Sequence, residues 1–520
     1  NKPPLFSHDA PVPIITTRRK VRHMKKWITV LLLASLLMTA GCTAENPKTN
    51  DTTSNTTDTA DTSDTDTETE QTEIDYVSGL PSADYDGKAF RVDSANTLVG
   101  IDSATTINIA EELTGEVVND ALYNRDRYLE QQYNVVVENT INETRDASVF
   151  QKGVLAGDTG FEVAFGDVGS YGFYVVIKGC CYPMNFVENV HLDREYWNQA
   201  ANKAMTFGTS VYYPTGAVSP RFYGSVYIIM FNKDMAADMN IENLYDAVQN
   251  GTWTIDKMFT LAKNALVDLD GDGVYGAKDQ YGVSYEVLTP YALWVGAGKT
   301  VVENNNGEMR YSLDDEDMVN LFEKILKYLD DPSVIWIDDP KYEGSTLLEE
   351  GRTLFQNPCT FNLTEYREVG YDFGILPMPK KDEGQAEYIS YGQPWVVYCP
   401  YVPITVTGAD REMVGMLLDA MAAYGHQYVR PAVFDTVIQL KSTRDEESGK
   451  IINELFNNVS FELADNVSKT NVGGLLGNLF TYKFGKMEFS SSWAKIKDAA
   501  YKDLENMKST LAENEAKMQQ

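Results

Sequence analysis

The chain has 520 residues, of which 76 are acidic and 44 basic, for a formal net charge of −32. That balance excludes the basic stripe a nucleic-acid binder needs, and charge alone does not hold such a chain to anionic lipid. With 31 Tyr, 21 Phe and 7 Trp, it is rich in rings that suit polar ligands with apolar faces, such as sugars. Only four His leave little for general-base or zinc chemistry.

Residues 1–23 carry no Met and include Pro3-Pro4, Pro11 and Arg18-Arg19-Lys20; they read as sequence upstream of a start at Met24. Residues 24–42 form an export signal. Lys25 and Lys26 supply the charged region, and about a dozen mostly apolar residues follow, too few for a comfortable membrane span. Small residues then lead into Cys42. The arrangement resembles the lipobox of bacterial lipoproteins, with Thr39 where that pattern has Leu. It implies a lipid on Cys42 and a place on the outer face of a bacterial cell membrane. An ordinary cleaved signal beside a chance cysteine is the alternative. Residues 43–84 are mostly Thr, Asp, Glu, Ser and Asn. They bury too little to offset ordering entropy, so a disordered tether is expected, of roughly 30 Å or more.

The body beyond is too long for one small core, and two lobes are expected. Strand and helix patterns alternate along it. Ala89–Val92 reads as a strand and Glu111–Tyr133 as a helix, with Val117, Val118, Ala121, Leu122 and Leu129 on one face. Tyr133–Val137 and Glu162–Gly166 read as strands, and Val226–Phe231 as a strand covered on both faces. Helices follow at Ile255–Val267, Met318–Leu329, Arg411–Tyr424 and from Trp493 onward. The alternation argues an α/β chain.

Asp268-Leu269-Asp270-Gly271-Asp272-Gly273-Val274 through Asp279 fits a twelve-residue calcium loop. Carboxylates fall at positions 1, 3 and 5, Gly at 6, the Val274 carbonyl at 7 and Asp279 at 12. A structural Ca2+ is expected there; an acidic turn with permissive glycines is the alternative. Cys180, Cys181, Cys359 and Cys399 match no zinc spacing. A Cys359–Cys399 bridge and buried free thiols both remain open.

Tyr227-Ile228-Ile229-Met230-Phe231-Asn232-Lys233-Asp234, then Asn250-Gly251-Thr252-Trp253-Thr254-Ile255-Asp256-Lys257, Gly351–Phe355 and Tyr371–Lys380 resemble, in that order, segments of extracellular solute-binding proteins of family 1, the maltose-binding-like group of ABC importers. Ala121–Arg125 and Leu440–Ser448 are similar to its large lipoprotein subgroup. The resemblance implies two discontinuous α/β lobes, joined by hinge strands, with a ligand cleft between them. It places residues 85–223 and 401–465 in the first lobe and 224–400 and 466–520 in the second. Chain crossings are expected near 225–231, 395–400 and 465–471.

By the same resemblance the cleft draws on Asp167, Tyr171, Tyr174, Tyr223, Trp294, Phe361, Asn362, Tyr391, Gln393 and Trp395. Trp294, placed on a loop of the second lobe, and Trp395 are the leading stacking rings; Trp197, Trp253 and Trp336 read as structural. The implied protein is a monomeric, membrane-anchored binding component that captures a carbohydrate, an oligosaccharide by preference, and delivers it to an ABC permease. No nucleophile elbow or assignable carboxylate pair argues for an enzyme. A polysaccharide-binding adhesin and a glycan-processing enzyme are the alternatives.

Overall fold

The computed structural model describes residues 75–95, 108–142, 146–305, 308–337, 346–434, 445–480 and 489–518. The export signal, Cys42, nearly all of the tether and the 440–444 part of the lipoprotein-like motif lie outside the described residues. The strands in chain order are β1 (Lys88–Ala95), β2 (Val135–Asn142), β3 (Val163–Asp167), β4 (Ile229–Asn232), β5 (Tyr281–Tyr285), β6 (Val302–Asn305), β7 (Glu308–Tyr311), β8 (Val334–Trp336), β9 (Thr353–Gln356), β10 (Phe373–Leu376), β11 (Ser390–Tyr391), β12 (Tyr398–Tyr401) and β13 (Val459–Ser460).

Two mixed sheets carry the two lobes. The first has the order β12-β3-β1-β2, with β1 parallel to β2 and β3 and β12 antiparallel to β3. The second has the order β10-β4-β9-β5-β8, with β5 parallel to β8 and β9. Strands β3, β4, β5, β9, β10 and β12 are buried along their whole length, which is why none of them shows an apolar–polar alternation.

Local chemistry sets the helix ends. The first long helix starts at Val117, not at 111, because the Glu116 carboxylate caps it, accepting from the N–H groups of Val118 and Asn119. Gly115, at φ 81°, breaks the helix upstream, and Asn134 in the left-handed region ends it. Helix Ile255–Asn264 begins behind Thr254, whose hydroxyl accepts from Lys257 N at 3.3 Å. Trp253 just before it is fully buried and donates its indole N–H to the Pro377 carbonyl at 2.9 Å.

Three chain segments run side by side between the lobes. Val226 bridges Gly392 antiparallel, and β11 pairs with β13 in parallel. Gly392 N donates to Ser460 O at 2.9 Å, and Gln393 N to Ser225 O at 2.8 Å. The second and third segments, near 390–393 and 459–460, therefore precede the positions expected at 395–400 and 465–471. By residue 398 the chain has already joined the first sheet as β12.

Three further boundaries differ from expectation. The compact body begins at Tyr76, not at residue 85, because Tyr76 packs edge-on to Tyr196 and His426 and Val77 N donates to Gln427. The helix Glu446–Leu455 belongs to the second lobe rather than the first: the Ser448 hydroxyl accepts from Ile375 N at 2.9 Å, and Asp445 pairs with Lys233. Helix Phe489–Met518 spans both lobes. Near its start Trp493 Nε1 and Lys497 Nζ each donate to Asp314 at 2.9 Å, and near its end Glu515 accepts from the Tyr212 hydroxyl at 3.1 Å.

Candidate functional site

The ring stack on the hinge is the starting point. Tyr391 lies 5.4 Å from Tyr227 and 6.2 Å from Tyr291, with interplanar angles of 33° and 26°. Tyr227 comes from the first crossing segment, Tyr391 from the second, and Tyr291 from helix Thr289–Gly296 of the second lobe. Polar groups gather around the stack. Gln393 Nε2 donates to the Tyr227 hydroxyl at 3.4 Å, and that hydroxyl donates in turn to Glu286. Burial and the nearby Glu286 carboxylate push the Tyr227 phenol well above its ordinary range. Burial and the Asp465 carboxylate do the same for Tyr291 and Tyr391.

Asp465 is half-buried in the short helix Ala464–Val467. Burial raises its carboxyl to about 6, although Lys469 pulls the other way. The Lys469 ammonium stands 5.3 Å over the ring of Tyr174 and 6.0 Å over that of Phe173. Both rings belong to the turn of helix that follows β3 in the first lobe. A path of rings and charges thus leads from the Tyr227–Tyr391–Tyr291 stack through the field of Asp465 to Lys469, and from Lys469 to Phe173 and Tyr174 of the first lobe; its steps at Asp465 are electrostatic rather than contacts. On the second-lobe side, Asn362 Nδ2 reaches Glu365 at 3.5 Å, and the Tyr366 phenol lies in the field of Glu365 and Glu286. The half-buried rings of Phe173 and Tyr174, with the Lys469 ammonium over them, are the part of this path open to a ligand with apolar faces.

Of the residues expected in a cleft, Tyr391, Gln393 and Tyr174 lie along this path, Tyr391 with no exposed surface. Phe361 and Asn362 stand half-buried beside it. Others are packed away. Asp167 is fully buried and caps the turn 168–172, accepting from Ser170 N at 2.6 Å. Tyr171 is buried between Phe150 and Tyr401, and Tyr223 among Phe222, Phe434 and Phe456. Trp294 is on a helix rather than a loop, with no exposed surface, and its indole N–H is taken by Glu462 at 3.1 Å. Trp395 keeps 9% of its surface and lies on Gly169, where an added Cβ would come within 2.6 Å of its indole nitrogen.

Tyr227, Glu286, Tyr291, Asp465 and Lys469 are the members that pattern-reading misses. Lone acids and tyrosines carry no spacing signal, and only the lobe arrangement brings them together. The one hint was position: Tyr227 lies in an expected crossing and Asp465 at the edge of another.

The acidic loop at 268–279 forms a separate rim feature. Oxygens of Asp268, Asp270 and Asp279 lie within 4.8 Å of one another. Asp279 is buried, and backbone N–H groups of Gly276 and Leu269 hold its carboxyl below the usual range. Asp272 stands outside that trio and accepts from Val274 N at 2.7 Å. A Val267–Gln280 bridge closes the loop as a hairpin, not as a helix–loop–helix unit. Cys180, Cys181, Cys359 and Cys399 are all buried free thiols, so Cys359 and Cys399 are not bridged.

Comparison with solved structures gives the architecture its place. An ABC substrate-binding protein from Listeria monocytogenes in complex with cycloalternan matches with a TM-score of 0.50 at 12% identity, over 80% of this chain and 99% of that one. The chain has the two-lobed periplasmic-binding-protein-like fold. A cyclic alpha-maltosyl-1,6-maltose binding protein from Arthrobacter globiformis matches with a TM-score of 0.51 at 13% identity, over 82% of this chain and 99% of that one. UspC from M. tuberculosis matches at 0.54 and 12% identity, over 80% of this chain and all of that one. No family model matches the sequence, and no curated protein does. At these identities the likeness establishes the fold and not the ligand.

Proposed function

We propose that this protein is the substrate-binding component of an ABC importer and captures a carbohydrate between its lobes. The observation that carries the reading is the lobe-to-lobe path from the Tyr227–Tyr391–Tyr291 stack through Asp465 and Lys469 to Phe173 and Tyr174. The half-buried rings of Phe173 and Tyr174 offer stacking faces, while the Tyr227–Tyr391–Tyr291 stack is buried and forms the wall behind them. Two of the structural relatives are named as a complex with cycloalternan and as a cyclic alpha-maltosyl-1,6-maltose binding protein, which favours a saccharide over a peptide. They are binding proteins, and this chain is read as one too: capture and release, with no bond made or broken.

Delivery to a permease and anchoring through a lipid on Cys42 belong to the same proposal. They rest on the export signal and on the acidic run of 43–84 as a spacer. A structural Ca2+ at Asp268, Asp270 and Asp279 is proposed as well, supported by the convergence of their oxygens. Calorimetric titration with mono- and oligosaccharides tests the main reading. Tight, reversible binding of at least one, with the saccharide recovered unchanged, is expected. Turnover of the saccharide, or binding only to long cell-wall polymers, would replace this reading with an enzyme or an adhesin.

A further inference from the structure

Helix Phe489–Met518 runs unbroken for 30 residues, about 45 Å, and its two ends are held differently. On the second lobe Phe489 stacks on Phe322 at 4.7 Å, with an interplanar angle of 5°. Asp314 accepts from Trp493 Nε1 and Lys497 Nζ at 2.9 Å and from the Tyr501 hydroxyl at 3.2 Å. The Tyr311 hydroxyl donates to the Ala500 carbonyl at 3.2 Å. Next along the helix, Asp503 accepts from Ser468 Oγ at 2.5 Å and from Asn471 Nδ2 at 2.8 Å, which ties it to the third hinge segment.

The far end rests on the first lobe through one face. Leu511 is buried and Asn514, Glu515 and Met518 are half-buried, whereas Ala512, Glu513, Ala516 and Lys517 are exposed. The buried Tyr212 hydroxyl donates to Glu515 at 3.1 Å. Glu515 lies in the last turn, where a carboxylate opposes the helix dipole, so the helix itself gains nothing from it. Asn514 is pressed against Gly179, where an added Cβ would come within 2.5 Å of its Cγ. The Asn514 amide nitrogen is buried there with no hydrogen-bond partner among the described residues, and an unpaired buried donor costs stability. This seat is therefore the weaker of the two. The helix also packs on Phe173–Ile177, the first-lobe element that carries the rings open to a ligand. A stiff rod fixed to one lobe and resting on the other resists rotation until the weaker seat gives way. We propose that residues 509–518 form a releasable latch: seated on Gly179 and Tyr212 it holds the lobes at their present angle, and released it frees them to rotate about the hinge. The proposal concerns lobe motion and holds for whichever ligand the cleft takes.

The test measures the distance between the lobes by pulsed spin-label spectroscopy on the full chain, with no ligand added. Labels go on Leu155→Cys in the first lobe and Lys327→Cys in the second, both exposed. A Cys42→Ser background leaves Cys180, Cys181, Cys359 and Cys399 as native thiols, all buried. The otherwise unaltered chain is expected to give one narrow distance. Ending the chain after Lys508 should at least double the width of the distribution, and so should Asn514→Arg, which cannot fit against Gly179. Tyr212→Phe should widen it in part. Melting curves establish that each variant is folded; if the shortened chain is not, Asn514→Arg and Tyr212→Phe decide the matter. An unchanged mean and width in the folded variants, or a distribution already as broad before any of these changes, would overturn the latch. Either result leaves the saccharide reading untouched, since no sugar enters the experiment.

Discussion

Glu462 shows at the level of one side chain how the hinge is tied to the second lobe. It is 3% exposed and accepts from Val301 N at 2.6 Å, Val302 N at 3.3 Å, Trp294 Nε1 at 3.1 Å and Ala464 N at 2.9 Å. Burial raises its carboxyl to about 7 against the pull of those donors. The folded state therefore holds this proton more tightly than the unfolded chain does. Glu462 contributes stability that is full below about pH 4.5 and is lost as the pH rises through about 7, of order 3 kcal/mol in all. Urea unfolding of the wild type and Glu462→Gln should show a stability difference that shrinks between pH 5 and pH 8. A difference flat across that window would remove the account of this carboxyl. Its partner Trp294 has a structural task. Trp294→Ala should lower stability by about 3–5 kcal/mol, as expected for an emptied aromatic core site. A ligand defect in an otherwise fully stable Trp294→Ala protein would return that ring to the cleft.

Among the elements, the 268–279 loop invites the most direct manipulation. Asp268, Asp270 and Asp279 offer converging oxygens, yet the Lys278 ammonium stands 3.5 Å from Asp270 and competes for the same charge. With Ca2+ bound only by the folded state, a hundredfold excess over Kd would stabilise by about 2.7 kcal/mol. Chelator is expected to lower the melting temperature of metal-loaded protein, and Asp270→Ala to abolish that sensitivity. Identical melts with and without chelator, after verified metal removal, would leave the loop as an acidic turn. Elements were the most legible part of the sequence. Helices Ile255–Asn264 and Glu316–Leu329 carry apolar stripes and clear starts, and β3 and β4 carry unbroken apolar runs. The allegiance of Glu446–Leu455 was not legible, because it depends on Ser448 meeting Ile375 across 73 residues. The same holds for the site. Tyr391 and Gln393 lead into an expected crossing, but Asp465 and Lys469 become significant only when Lys469 is brought over Phe173 and Tyr174 of the first lobe.

For the whole molecule, lobe motion must pass through three adjacent hinge segments and along helix Phe489–Met518. That helix holds the second lobe through Asp314 and the first through Glu515. Anchoring belongs to this scale too: the wild type should partition into detergent and take up labelled fatty acid in a Gram-positive host, and Cys42→Ala should lose both. Full secretion of the wild type with an N-terminus elsewhere would contradict the lipoprotein proposal. The central claim is reversible saccharide capture by lobe closure. Small-angle scattering of the body, with and without a saturating saccharide found by calorimetry, tests it most directly. The account predicts a smaller radius of gyration on binding at unchanged mass, reversed when the saccharide is dialysed away; an unchanged particle under saturation would contradict it.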